Sequence, residues 1–426
     1  MISTYSINTS FSQHNAKNFI NSISSGENKT YLFFGKSTPW TNESDVPTPV
    51  DSLSDYIDVM NNLIAINRIQ ASNLTLAIRK IVWTTGTVYQ PYNDYLDLND
   101  VDFYVLSINN CVYKCLDNAN GAPSTVAPTS DSLIPHQTSD GYKWQLMFQL
   151  SDADNIKWNN QSVIPVKEIL AGDGSVQWNV QQAAIPGTID YIEIQSAGSG
   201  YITDTVAITI EGDGTGATAH AVVVNNTISK IVIDSRGSGY THATAKISGN
   251  AILRPIISPI KGHGSSAVDE LLARYVITAS SFDKDASGNL PVNVSYRQIG
   301  LLMNPLSYGT SEVLNIPAEA TNLTTLVVAN SAGFELGEQI QDITTNSFAN
   351  IVEIIDGSHI TINNINGTFE AKDSITGLTT GTSTTITSKT NPIIEPLSGQ
   401  VIYVENREAV ARSESQREDY KLIVAF

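Results

Sequence analysis

Apolar positions recur along this chain at two different periods. In SQHNAKNFINSISS (12–25) Phe19, Ile20 and Ile23 fall at helical spacing, and Gly26 stands where such a helix would end. TYLFFGK (30–36) reads as a strand. VDSLSDYIDVMNNLIAI (50–66) predicts a second helix with Leu53, Ile57, Met60, Leu63 and Ile64 as its apolar positions and Asp51 or Ser52 as its cap. From Leu74 onward LTLAIRKIVW, DFYVLSINNCVYKCL and YKWQLMFQL read as strands separated by turns. The chain closes on Leu422–Phe426, which has the composition of a buried strand. Chain ends fray unless something ties them down, so this run predicts a sheet shared with strands from the N-terminal half.

Two internal repeats interrupt this pattern. TIDYIEIQSAGSGY (188–201) aligns without gaps on TISKIVIDSRGSGY (227–240), 39 positions later. Ile189, Ile192 and Ile194 fall on Ile228, Ile231 and Ile233, while Ile208 matches Ile247. Gly198, Gly200 and Tyr201 fall on Gly237, Gly239 and Tyr240: glycine permits the positive φ of a tight turn, and the tyrosine ring can lie over it. FELGEQIQDITTNSFANI (334–351) aligns on FEAKDSITGLTTGTSTTI (369–386), 35 positions later, with an alternating strand and an Asp356-Gly357 hairpin turn between the copies. Each repeat predicts a small pseudo-symmetric β module. The organisation that follows is one principal domain written in three pieces, 1–185, 251–308 and 395–426, interrupted by inserted modules at 186–250 and 309–394.

Composition supports a β-rich, multidomain chain. It has 426 residues, 41% hydrophobic and 15% charged, with Ser, Thr, Asn and Gly filling the difference. Net charge is −18 and no basic run occurs, which argues against nucleic-acid binding. The N-terminal MISTYSINTSFSQHNAKNF lacks the basic and apolar segments of a secretory signal, and no window has the apolar length of a membrane span. Cys111 and Cys115 sit four apart in a strand. At about 3.3 Å per residue they stand ~13 Å apart, too far for a disulfide, so two half-buried free thiols are expected.

Candidate chemistry is sparse. DKDASGNLPVNV (283–294) begins like a calcium loop, but Val294 stands where a bidentate Glu is needed, so a polar hairpin is expected. GDGTGA (212–217) shares only glycines with phosphate-binding loops and reads as a turn between repeat strands. SPIKGHGSSAVDELL (258–272) holds His263 between two glycines, with no metal-ligand or nucleophile–base spacing; a turn leading into a short helix is expected. The stretch ENREAVARSESQREDYK (405–421) concentrates Glu405, Arg407, Glu408, Arg412, Glu414, Arg417, Glu418, Asp419 and Lys421. It reads as an exposed hairpin loop or as a polar contact surface for a neighbouring subunit. No catalytic, cofactor or metal constellation emerges.

Six fragments together resemble the baseplate wedge subunit of contractile-tailed bacteriophages of the T-even type. They are FINSISSGENKTYLFFGKSTPW (19–40, with Gly35, Pro39 and Trp40), VYKCLDN (112–118, with Cys115) and DGYKWQLMFQL (140–150, with Asp140, Gly141 and Trp144). Next come RPIISPIKGHGSSAVDELLARYV (254–276, with His263), YRQIGLLMNPL (296–306, with Arg297, Asn304 and Pro305) and the C-terminal GQVIYVENREAVARSESQREDYKLIVAF (with Glu405, Asn406 and Arg407). They follow the family's order and cover the three pieces of the principal domain. The resemblance implies a mainly β fold with minor α, whose principal domain is a β-sandwich assembled from discontinuous segments. It also implies a non-enzymatic role linking neighbouring wedge proteins, as a homodimer in a sixfold baseplate of the virion, assembled in the host cytoplasm. No cofactor, nucleic acid or membrane is implied. The residues named in these fragments are carried over as structural, not catalytic. The two repeat modules depart from the family's core pattern.

Two other functions compete. The Thr/Asn/Gly-rich repeats could grip cell-surface carbohydrate for host attachment, although residues 309–400 contain no Trp or Tyr. A polysaccharide-cleaving enzyme would need paired carboxylates about 5–10 Å apart, and no pair is marked by its context.

Overall fold

The computed structural model describes residues 8–282, 291–292, 294–412 and 418–426. The calcium-loop-like stretch, Glu414 and Arg417 lie outside them, apart from Pro291, Val292 and Val294. The chain is mainly β with minor α, as the residue patterns predict: twenty-five strands and five α-helices among the described residues. It divides into two compact units, one comprising Met1–Asn18, Thr75–Ile277 and Leu422–Phe426, the other Phe19–Leu74 and Thr278–Lys421.

The first unit contains the end of the chain. Strand Glu418–Ala425 is the outer member of a four-stranded sheet, followed in order by Tyr275–Phe282, Leu74–Arg79 and Val163–Val166. The Phe426 amide donates to the Arg274 carbonyl at 3.0 Å, and the Leu422 side chain is buried. The terminal run therefore joins a sheet that includes two strands of the N-terminal half, Leu74–Arg79 and Val163–Val166, as its composition predicts, but its direct neighbour is Tyr275–Phe282 from the later half of the chain. A second sheet runs in the order Tyr104–Leu106, Cys111–Asp117, Lys143–Gln149, His136–Gln137. Six consecutive residues of Cys111–Asp117 are buried, so both faces of that strand are covered. Cys111 and Cys115 are free, as expected, but more deeply buried than the half-buried state that simple alternation predicts.

The 39-residue repeat also lies in this unit and forms a six-stranded sheet. Its order is Thr227–Ser238, Thr215–Val224, Thr205–Gly212, Ala243–Ile247, Ile252–Ile257, Ile189–Ser196. This order maps onto its own reverse when the two copies are exchanged. Matching Ile208 and Ile247 face each other at the centre, where the pseudo-twofold must pass. The edges touch through a reciprocal pair of bonds: the Tyr201 amide donates to the Asn226 carbonyl and the Tyr240 amide to the Gly187 carbonyl, each at 3.2 Å. Gly198 and Gly237 adopt φ of 62° and 60°, and a Cβ on Gly237 would come within 2.4 Å of the Ala217 nitrogen. The rings of Tyr201 and Tyr240 are buried, with their hydroxyls accepting the amides of Ala251 and Ala217.

In the second unit the main sheet runs Glu319–Thr321, Leu63–Arg68, Thr30–Gly35, Ser295–Met303, Gln400–Ala411. The second helix spans only Leu53–Asn61, capped by the Ser52 side chain on the Asp55 amide. Leu63 and Ile64, expected on that helix, instead begin an interior strand, because the Asn61-Asn62 pair ends the helix and the following Ile64 and Ile66 suit a buried sheet. Residues 405–411, read from their charge as loop, belong to the edge strand Gln400–Ala411, where solvent on one side tolerates Glu and Arg. Glu418–Lys421 likewise begins a strand.

The 35-residue repeat closes into a six-stranded barrel, ordered Thr324–Val328, His359–Asn366, Ser347–Asp356, Gln339–Asp342, Ser374–Gly377, Ser383–Thr390. Its copies are again related by a pseudo-twofold, with Gln341 paired to its own counterpart, Thr376. The same turn is built twice: the Gly337 and Lys372 amides donate to the Ile351 and Ile386 carbonyls, each at 2.8 Å. Phe334, Phe369, Ile340 and Ile375 fill the interior. The hairpin loop between the copies is Gly357-Ser358, with the Asp356 carboxylate accepting the Ser358 amide.

Gly300 is the tightest point of the main sheet. A Cβ there would lie 2.2 Å from the Tyr403 carbonyl and 2.5 Å from the Phe33 ring. Gly300→Ala is expected to cost about 1–3 kcal/mol in urea unfolding. Gly357→Ala, at a turn glycine with no atom within 4 Å of the new methyl, should be neutral or slightly stabilising. Equal effects would contradict this packing.

Candidate interaction surface

In the second unit, several motif residues converge where residues 36–50 cross the edge strand. The Trp40 indole N–H donates to the Arg407 carbonyl at 2.9 Å, and Lys36 lies over the indole at 4.5 Å. The Arg297 guanidinium is nearly buried; its Nε donates to Glu43 at 2.6 Å and its Nη1 to the Ser37 carbonyl at 2.5 Å. Hydrogen bonding from Arg297 is the main cause that holds the Glu43 carboxyl below its ordinary pKa, with the Trp40 amide adding to it. Gln298 donates to Asn406, which in turn donates to the Pro47 carbonyl, each at 2.9 Å. Trp40, Arg297, Asn406 and Arg407 thus form one junction.

The other motif residues of this unit lie nearby in sequence but play separate parts. Asn304 takes φ of 51° at the end of its strand, accepts the Lys29 amide and donates to Asn28. The Pro305 carbonyl accepts the Leu314 amide. Gly35 is buried, its missing Cβ 3.2 Å from the Asn62 carbonyl. Pro39 is exposed, and Glu405 accepts the Tyr403 hydroxyl at 3.3 Å.

Beside this junction is an open groove of about 790 Å³ between helix Leu53–Asn61, the Pro47–Val50 segment and the edge strand. Asp51, Asp55 and Asp58 line it, with no lysine or arginine among the lining residues.

In the first unit, Cys115 lies opposite Trp144 in adjacent strands, and both are fully buried. Trp144 stacks on Tyr142 at 5.4 Å and meets Tyr89 edge-on at 5.8 Å. Asp140 and Gly141 make the turn into that strand. The Asp140 carboxylate accepts the amides of Thr125 and Val126 and the hydroxyls of Thr138 and Ser124. Burial alone would raise its pKa, but the Thr138 hydroxyl and the Thr125, Val126 and Tyr142 amides together hold it below the ordinary value. Gly141 takes φ of 93° against Ala119.

His263 belongs to a buried charged cluster. Lys114, in the middle of an apolar strand, forms an ion pair with Glu270 and lies 4.9 Å over the Tyr92 ring. Glu270 also accepts the Gly264 and Ser266 amides at 3.0 Å, so it fixes the glycine-rich turn that leads into helix Ala267–Glu270. His263 meets Tyr92 edge-on at 5.1 Å, and its Nε2 is 3.9 Å from Asp190. Burial first, then the Lys114, Arg236 and Lys143 charges, push its pKa well down, so the ring is neutral at physiological pH. Burial likewise pulls the Lys114 pKa down, against the opposing pull of Glu270. Lys114 and Glu43 were not singled out from sequence. A lysine inside an otherwise apolar strand was the available signal for the first, because a buried cation requires a partner. For Glu43 no local signal exists. Among the described residues no group of three or more His, Cys, Asp or Glu is placed to hold a metal.

Comparison with known proteins indicates a class. Residues 5–130 match the family model described as Bacteriophage T4, Gp8. A curated relative, baseplate wedge protein gp8 of Enterobacteria phage T4, is 26% identical over 208 residues, covering 39% of this chain. The match spans 62% of that relative's own length. Both findings bear out the resemblance to a T-even-type baseplate wedge subunit.

Lys114→Met would leave Glu270 buried without its cation and is expected to cost about 3–5 kcal/mol in denaturant unfolding. Lys17→Met, which breaks the outer pairs to Glu168 and Asp269, should cost at most about 1 kcal/mol. For Asp140 the depressed folded pKa means its contribution is full above the ordinary carboxylate value and lost as pH falls through the folded value. Asp140→Asn should therefore lower the melting temperature at pH 7, with the deficit narrowing below about pH 4. A pH-independent deficit would contradict the hydrogen-bonded carboxylate.

Proposed function

We propose that this protein is a non-enzymatic structural component of a phage tail baseplate, located in the virion and linking neighbouring wedge proteins through protein–protein interfaces. The observation that carries this reading is the match of residues 5–130 to the Bacteriophage T4, Gp8 family, joined by the relative named as a baseplate wedge protein. Sheets whose strands come from distant parts of the chain and a buried, fully engaged ion pair support it, because both favour a stiff body over a site that must move substrates. The domain plan belongs to the same proposal: a β-sandwich principal domain in three pieces, carrying the two repeat modules as insertions. So does the homodimer within a sixfold assembly. The motif residues, from Gly35 to Arg407, act as structural supports in it.

The test is removal of the gene from the phage, followed by electron microscopy of the tails. Incomplete baseplates, restored by the full chain in trans, are expected; complete infectious particles without the protein would overturn the reading. Light scattering on the purified chain should give twice the 46.0 kDa chain mass. A monomer at micromolar concentration would remove the homodimer.

A further inference from the structure

The open groove of the second unit sets the last strand of a sheet beside charge of a single sign. One wall is the outermost strand of the main sheet: in the order of that sheet no strand follows Gln400–Ala411, so its outer backbone edge has no strand beside it, and Gln400–Val404 of that strand line the groove. Further along the same strand the edge is already read by the chain itself. The Trp40 indole caps the Arg407 carbonyl, and Asn406 reaches the Pro47 carbonyl. The extended segment doing this leaves the strand at Pro47–Val50, and the groove opens where it departs.

Two further features define what would fit. Val50 and Ile402 line the groove with 64% and 37% of their surface exposed, giving apolar footing on both walls. Asp51, Asp55 and Asp58 supply negative charge, and no lining residue is cationic. A second copy of this chain, at −18, is a poor electrostatic match for such a groove.

We propose that the groove docks an extended, lysine- or arginine-bearing segment of a neighbouring protein, added as a further strand along Gln400–Val404. Backbone bonds to the edge supply affinity. Alternate side chains select the segment: apolar ones against Val50 and Ile402, basic ones toward the three aspartates. This rests on the structural reading above only in expecting neighbouring proteins.

The experiment uses the full chain and a fluorescein-labelled peptide of about ten residues alternating lysine and valine, with a glutamate–valine peptide as its counterpart, followed by anisotropy. The lysine peptide is expected to bind and to weaken at least about tenfold with Ile402→Lys or Asp51→Lys, and to weaken from about 0.05 to 0.3 M salt. Asp131→Lys, an equal charge change on an exposed residue of the first unit, should leave binding within about twofold. Circular dichroism checks that each variant is folded. Absent binding, equal binding of the two peptides, or equal losses in Ile402→Lys, Asp51→Lys and Asp131→Lys would overturn the proposal. A dimer that Ile402→Lys converts to monomer would also overturn it, assigning the edge to a second copy. Failure here, with tails still requiring the protein, would remove the groove's role and leave the baseplate reading standing.

Discussion

The last strand of the chain is held by residues that precede it by about 150 to 350 positions in sequence. Its neighbour is Tyr275–Phe282, then Leu74–Arg79 and Val163–Val166, with the Phe426 amide on the Arg274 carbonyl as the final rung. The first unit is therefore complete only when the final five residues have joined it. Closing such distant segments costs entropy that grows only slowly with the length of the loop, and buried strand pairing recovers it. The consequence is a sheet that cannot be completed until the end of the chain has joined it.

The two repeat modules solve the opposite problem. Each closes on itself by pairing one copy with the other, and local sequence supplies nearly every contact. In the first, Ile208 against Ile247 and the reciprocal amide bonds of Tyr201 and Tyr240 join the copies. In the second, Gln341 against Thr376 and a shared apolar interior close a barrel. A single copy would leave half of that interior in water, so duplication itself stabilises the module.

Much of this was legible in the residues. The repeats showed as gapless alignments because their isoleucines and turn glycines each answer a geometric need. The paired role of the last strand followed from its apolar composition at a terminus. What failed to show was decided by tertiary neighbours. Leu63 and Ile64 suit a helix face as well as a strand, and only the flanking strands of the sheet settle the matter. Glu405, Arg407 and Glu408 look like a loop until the strand is known to be an edge, where one side meets solvent. The Lys114–Glu270 pair spans 156 positions and the Glu43–Arg297 pair 254, so no local pattern could join them. The motif residues were legible as a set, but their grouping around Trp40 and Arg297, or around Cys115 and Trp144, was not.

The central claim is that the extreme C-terminus is an integral strand of the first unit. Amide hydrogen exchange on Leu422–Phe426 tests it most directly. The account predicts that the amides of this run that bond into the sheet, Phe426 among them, are protected and lose protection together with Thr75–Arg79 of the same sheet as denaturant is raised. Exchange at the rate of an unstructured peptide, while Thr75–Arg79 stays protected, would contradict it.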